Sequence, residues 1–145
     1  MAGTEDDWEV KLLMSQRFYH EEHTWVSVAG AEVTVGLTDY AQEQMGDIIY
    51  VELPEEGTPV SEGESFATVE SAKAVQDVIA PLSGAVLRVN AELLDTPEII
   101  NDDPYGAGWL IVVTPEEGFA VGQLMTEPAY QELLDSDLER DEELV

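Results

Sequence analysis

The sequence predicts a mainly β protein, a β-sandwich or partly open barrel with short added helices and a C-terminal helix. Three observations carry that prediction. Short runs rich in Val, Ile, Thr and aromatic residues recur along the chain, bounded by Gly, Pro and Asp clusters. No β-α-β alternation follows them, and neither G-x-G-x-x-G nor G-x-x-x-x-G-K-[ST] occurs, which argues against a nucleotide enzyme. The length of 145 residues suits one domain, and a hydrophobic content of 44% argues against disorder.

Residues 1–17 read as an acidic N-terminal extension. Thr4 before Glu5, Asp6 and Asp7 resembles a helix start, and Trp8 and Leu12 share a face. A short docked helix and a frayed arm both fit. The main domain is expected over 18–136. His23 to Leu37 predicts a hairpin, two β-prone runs around Ala29-Gly30. Thr38-Asp39 offers an N-cap for a helix over Tyr40 to Met45, closed by Gly46. Asp47 to Leu53 is a strand. Pro54 to Pro59 and Val60 to Glu64 read as turns, and Ser65 to Ser71 as a strand. Pro81 marks a strand end, and Ala85 to Val89 returns to a strand. Ala91 to Ala107 reads as a long packed loop with one helical turn, and Trp109 to Thr114 as a buried strand. Thr126 caps a final helix whose Tyr130, Leu133 and Leu134 fall on one face. The charged tail begins near Asp135, with 137–145 taken as a solvated terminus.

Composition excludes several functions. A net charge of -27 with five cations cannot assemble a basic patch, so nucleic acid and anionic lipid are excluded as partners. So much like charge opposes compaction in dilute buffer. At molar salt the screening length falls to about 3 Å and removes most of the repulsion. A halophile-like, high-salt cytoplasm is the expected setting. No apolar run reaches the length of a membrane span, and the acidic N-terminus lacks a signal or transit pattern. The absence of cysteine excludes disulfides, thiolate metal sites and a cysteine nucleophile. His20 and His23 are the only imidazoles. A shared metal is a weaker reading of that pair than two separate surface side chains. No serine lies in a G-x-S-x-G setting, and the acids from Asp95 to Asp103 lack calcium-loop spacing. A non-catalytic role is expected.

One stretch stands out. Ala67 to Pro81 places Glu70, Ser71, Ala72, Lys73 and Ala74 between two apolar-rich arms. The chain holds only two lysines, Lys11 and Lys73, against 32 acidic residues. A turn between paired strands projects a flexible amine on a fixed base. Ala72 and Ala74 leave room around it, and Glu70, Ser71 and Asp77 supply polarity. An ordinary polar hairpin tip and a covalent loading site both fit these residues.

The segment VESAKAVQDVIAPLSGAV, Val69 to Val86, resembles the lipoyl-lysine segment of glycine cleavage system H proteins. HTWV, His23 to Val26, resembles the family's HEWV. VTVGLTDYAQEQMGDIIYVELPEEG resembles its central block, and NAELLDTPEIINDDPYGAGWLIVV its post-hairpin block. The blocks run in order from Phe18 to Tyr130. Biotin carriers and 2-oxo acid dehydrogenase lipoyl domains resemble it less, since their tips read differently and lack the NDDPYGAGW element.

The resemblance implies a lipoyl-domain-like barrel-sandwich hybrid with added helices. It implies lipoate bound covalently to Lys73 as N6-lipoyllysine, flanked by Glu70, Ser71, Ala72, Ala74 and Asp77. The implied role is a shuttle, carrying the aminomethyl group from glycine decarboxylase to the aminomethyltransferase. Implied partners are that pyridoxal-phosphate P protein, the tetrahydrofolate-using T protein, the dihydrolipoyl dehydrogenase L protein and a lipoate-attaching enzyme. A cytoplasmic monomer is expected. The alternative is an H-like carrier acting as lipoate donor or in another lipoate-dependent pathway. The resemblance also implies that the loaded arm folds into a cleft beside an acid. Asp77 matches a family acid, but the usual Glu before Trp25 is Thr24 here, with Glu21 or Glu22 as substitutes.

Overall fold

The computed structural model describes residues 17–144, with side chains described over 17–136. The expected helix start at Thr4 to Leu12 lies outside the described residues. The strands are β1 (Arg17–Tyr19), β2 (Thr24–Ala29), β3 (Glu32–Leu37), β4 (Ile48–Glu52), β5 (Pro59–Val60), β6 (Ser65–Ser71), β7 (Val75–Ile79), β8 (Gly84–Val89) and β9 (Ile111–Pro115). Helix α1 (Asp39–Met45) joins β3 to β4, and α2 (Glu92–Asp95) and α3 (Ile99–Asp102) lie between β8 and β9. A 3-10 turn (Val121–Gln123) precedes α4 (Glu127–Leu144).

The strands form a six-stranded sheet of order β1-β2-β3-β9-β8-β5 and a three-stranded sheet of order β4-β6-β7. Every pairing is antiparallel. The sheets enclose one apolar core. Val26, Val35 and Val113 of the larger sheet share it with Val51, Val69 and Val78 of the smaller. The mainly β sandwich with short helices is therefore as the sequence predicts.

Local signals explain most boundaries. Gly30, at φ +63°, turns β2 into β3 where Ala29 faces Glu32. The Thr38 hydroxyl accepts the Ala41 N–H at 3.2 Å and starts α1. Gly46 ends it, donating its N–H to the Gln42 carbonyl.

Long-range contacts decide the rest. β1 pairs its three residues with Trp25 to Ser27, a strand too short to read from pattern. Pro59–Val60, expected to be turn, pairs with Gly84 and Ala85 as β5. Residues 91–107 hold two one-turn helices, each anchored by a fully buried side chain, Leu93 and Ile100. Asn90 draws Trp109 out of the last strand. Its amide donates to the Ala107 and Trp109 carbonyls at 2.8 Å, so β9 begins only at Ile111. Helix α4 runs past residue 136, where the acidic tail was expected to start. No Gly or Pro after Pro128 interrupts it.

A second apolar cluster docks α4. Tyr130 and Leu134 pack with Tyr19 and Trp25, as the i, i+4 spacing predicts. Tyr19 and Tyr130 stack with ring centroids 4.7 Å apart. The Trp25 indole N–H donates to the Pro104 carbonyl at 3.0 Å. Gly36 lies opposite Trp25, and a Cβ there would fall 2.6 Å from the indole.

Candidate functional site

The β6–β7 hairpin carries Lys73 at its tip. Glu70 faces Val75 in the last strand pair, and the Ser71 N–H donates to the Ala74 carbonyl at 2.8 Å. No residue of the tip takes positive φ, so this is not the mirror-image turn that tight hairpins favour. Instead the Ser71 hydroxyl accepts the Lys73 N–H at 3.3 Å. Ser71 is only 5% exposed and sits opposite Ile48 of β4. It anchors the backbone under Lys73 rather than decorating the tip. Ala72, Lys73 and Ala74 are all exposed.

The Lys73 stem leans back toward α1. A Cβ built on Gly46 would stand 3.3 Å from Lys73 Cε and 3.7 Å from Nζ. Gly46 also takes φ +77°, so backbone and space both call for glycine. Asn101 holds this floor in place. Its Nδ2 donates to the Gly46 carbonyl and to Gln42 Oε1, both at 2.9 Å. Its Oδ1 accepts the Ile48 N–H, also at 2.9 Å. Sequence reasoning passed over Gly46 as a helix cap and Asn101 as a loop polar residue. The only signal for Asn101 was its place in the NDDPYG block.

The flanking residues divide between two directions. Ser71 points inward. Glu70 lies in an outward row with Tyr50 and Val75, and Asp77 in the next row with Glu52 and Thr68. Asp77 is exposed, and no ion pair joins Lys73 to an acid among the described residues.

Thr24 lies toward the other end of α1. It pairs with Leu37, directly before the Thr38 cap. At seven residues, α1 spans about 10 Å between that end and Gly46. Thr24 is fully buried, and its hydroxyl has no hydrogen-bond partner among the described residues. Beside it, the Tyr130 hydroxyl lies 2.8 Å from both Thr38 Oγ1 and His23 Nδ1. Burial pushes the Tyr130 phenol up to about 12, against the opposing Thr38 hydrogen bond, so it stays protonated at neutral pH. Glu21 and Glu22 are exposed on the turn before Thr24. Thr24→Val removes an unpartnered buried hydroxyl at similar size. It is expected to stabilise the protein by about 1 kcal/mol, read as a higher Tm. A lower Tm would mean that the hydroxyl is satisfied in solution.

The two histidines serve separate contacts. His20 Nε2 lies 2.8 Å from Glu62 Oε2, while its Nδ1 accepts the Glu22 N–H. His23 faces Tyr130 and packs on Tyr40. No cluster of three or more His, Asp and Glu side chains suits a metal ion among the described residues. No helix among them is long and apolar enough to cross a membrane.

Fold and hairpin together define a class, the small β-sandwich carrier that presents one lysine on a strand turn. A family model described as glycine cleavage H-protein matches residues 17–137. The chain is 47% identical over 132 residues to glycine cleavage system H protein 4 of Aquifex aeolicus, covering 91% of this chain and 77% of that one. It is 50% identical over 113 residues to the H protein of Anaeromyxobacter sp. strain K, covering 78% and 88%. A crystal structure of the H protein from Mycobacterium marinum superposes with a TM-score of 0.72 at 47% identity, covering 80% of this chain and 94% of that one. The chain belongs to the glycine cleavage H-protein family. It is a non-catalytic lipoyl shuttle component of the glycine cleavage system.

Proposed function

We propose that Lys73 is the attachment point, carrying lipoate in amide linkage at Nζ. The observation that carries this is the bare floor under the lysine. Gly46 leaves open the space that a Cβ would fill beside Cε, and Ala72 and Ala74 add no bulk on either side. Ser71 fixes the backbone, and Asn101 fixes the floor. When bound, the group would supply a disulfide that is opened reductively as it accepts the aminomethyl group, and the dithiol left once that group is passed on would be reoxidised. The chain's own part is to hold and orient that arm. The path that fits is the length of α1, from Gly46 toward Thr24. Thr24, where relatives are expected to place an acid, is fully buried, so its hydroxyl is closed to the arm and no acid stands at that position. Asp77, exposed on β7 one outward row below Val75, is the acid we assign to holding a positive load by a charge-assisted hydrogen bond.

The proposed partners are the P, T and L proteins and a lipoate-attaching enzyme, met by a monomer in the cytoplasm. The deciding experiment uses the full chain. After treatment with a lipoate ligase, the intact mass is expected to rise by one lipoyl group. The loaded protein is then expected to support glycine–bicarbonate exchange with the partner decarboxylase. Full loading without exchange would favour the lipoate-donor role. Asp77→Asn is expected to shorten the time for which the carrier retains its load, and an unchanged retention time would exclude Asp77 from that task.

The charge of -27 motivates a further reading, adaptation to high salt. The protein is expected to melt several degrees higher in molar potassium chloride than in dilute buffer. Equal melting points would remove that reading.

A further inference from the structure

Exposed apolar side chains concentrate around the Lys73 hairpin, interspersed with Glu70, in a protein whose surface is otherwise strongly acidic. Five large apolar side chains are exposed among the described residues, and four belong to one region. Ile49 is 58% exposed, Tyr50 52%, Val75 66% and Leu94 57%. Ile49 and Tyr50 lie on β4, Val75 starts β7 directly after the tip, and Leu94 is on α2, which packs against β4. The fifth, Leu87, lies on β8 of the other sheet.

A backbone irregularity produces this patch. β4 reads Ile48-Ile49-Tyr50-Val51, and regular alternation would turn Tyr50 inward after Ile49. The register shifts between Ile48, opposite Ser71, and Tyr50, opposite Glu70. Two residues of β4 then stand against one of β6, a β-bulge, and both Ile49 and Tyr50 face solvent. Tyr50, Glu70 and Val75 form one row across three strands, so the apolar groups flank the base of the lysine-bearing hairpin. Asp47, Glu52 and Asp77 rim the region.

We infer that Ile49, Tyr50 and Val75 form the docking surface for the enzyme that acylates Lys73, a partner with an apolar seat and a basic rim. This rests on the reading of Lys73 as the attachment site. The acylating enzyme is the occupant because it alone must reach the bare amine. Lys73 Cε lies against Gly46, so that enzyme must close onto the protein body within one lysine length. Partners of the loaded form work at the end of a much longer arm. In the reaction, the neutral amine attacks the carbonyl carbon of an acyl adenylate that the enzyme makes from lipoate and ATP. The C–N amide bond forms, the C–O bond to AMP breaks, and the amine gives up a proton.

The test follows intact mass over time, using the full apo chain with lipoate ligase, lipoate and ATP. Tyr50→Ser combined with Val75→Ser is expected to lower kcat/KM about tenfold or more through KM, with kcat and Tm close to the parent. Leu87→Ser, away from the patch, is expected to load like the parent. Equal kcat/KM for the double variant and the parent would overturn the docking surface while leaving Lys73 as the site. A fall confined to kcat, or one matched by Leu87→Ser, would overturn it as well. Failure of the parent to load at Lys73 would remove the site and the surface together.

Discussion

Lys73→Arg is expected to abolish lipoyl loading completely and glycine–bicarbonate exchange with it. Acylation needs a neutral amine with a free electron pair. Arginine keeps the length and charge of the side chain, but its guanidinium is always protonated and delocalised. The fold is expected to survive, because Lys73 is exposed and no ion pair ties its side chain to an acid among the described residues. A surface change of this kind usually shifts stability by no more than about 0.5 kcal/mol. Intact mass before and after ligase treatment reads the loading, and a melting curve checks the fold. The chain's other lysine, Lys11, serves as the internal control. Label found on Lys11, or loading that persists in the variant, would defeat the assignment.

Gly84→Ala is expected to have the largest effect on stability, a loss of about 3 kcal/mol or more. Gly84 lies between Val60 of β5 and Pro115 of β9. A Cβ there would collide with the Thr114 carbonyl oxygen. It would also stand 2.8 Å from Val113 Cγ1 and 3.0 Å from Pro115 Cα. Two of the three obstacles are backbone of the paired strand, so no rotamer change relieves them. The strands must part, and Val113, which is fully buried, loses packing with them. Gly122→Ala supplies the contrast. Nothing lies within 4 Å of a Cβ there, and its φ lies outside the left-handed range. Its melting point is expected to match the parent. Chemical denaturation of both variants checks the pair, and a Gly84→Ala loss below about 1 kcal/mol would mean that the β8–β9 edge is far more compliant than its packing indicates.

Much of the fold was legible because its signals are local. Gly30 turns β2 into β3, Thr38 and Gly46 bound α1, and Tyr130 and Leu134 share the buried face of α4. Each depends on a conformational preference or a periodicity visible within a few residues. β1 and β5 were not legible, since strands of three and two residues exist only through their partners. Residues 91–107 likewise became two helices rather than one turn because Leu93 and Ile100 each found a place in the core.

The candidate site divides in the same way. The sequence alone determined that a lysine stands on a hairpin tip between small residues, and that the surrounding blocks resemble one carrier family. Only the tertiary structure decided that the Lys73 stem passes over Gly46, that Asn101 clamps Gly46 from across the fold, and that Ser71 serves the backbone. It also turned Tyr50 outward beside Lys73 through a bulge that strict alternation does not predict. The physical reason is the range of the forces involved. Turns and periods are set between neighbours in the chain. The floor beneath Lys73 is set by a side chain 55 positions from Gly46, and hydrogen bonds at such separation exist only once the sheets have packed.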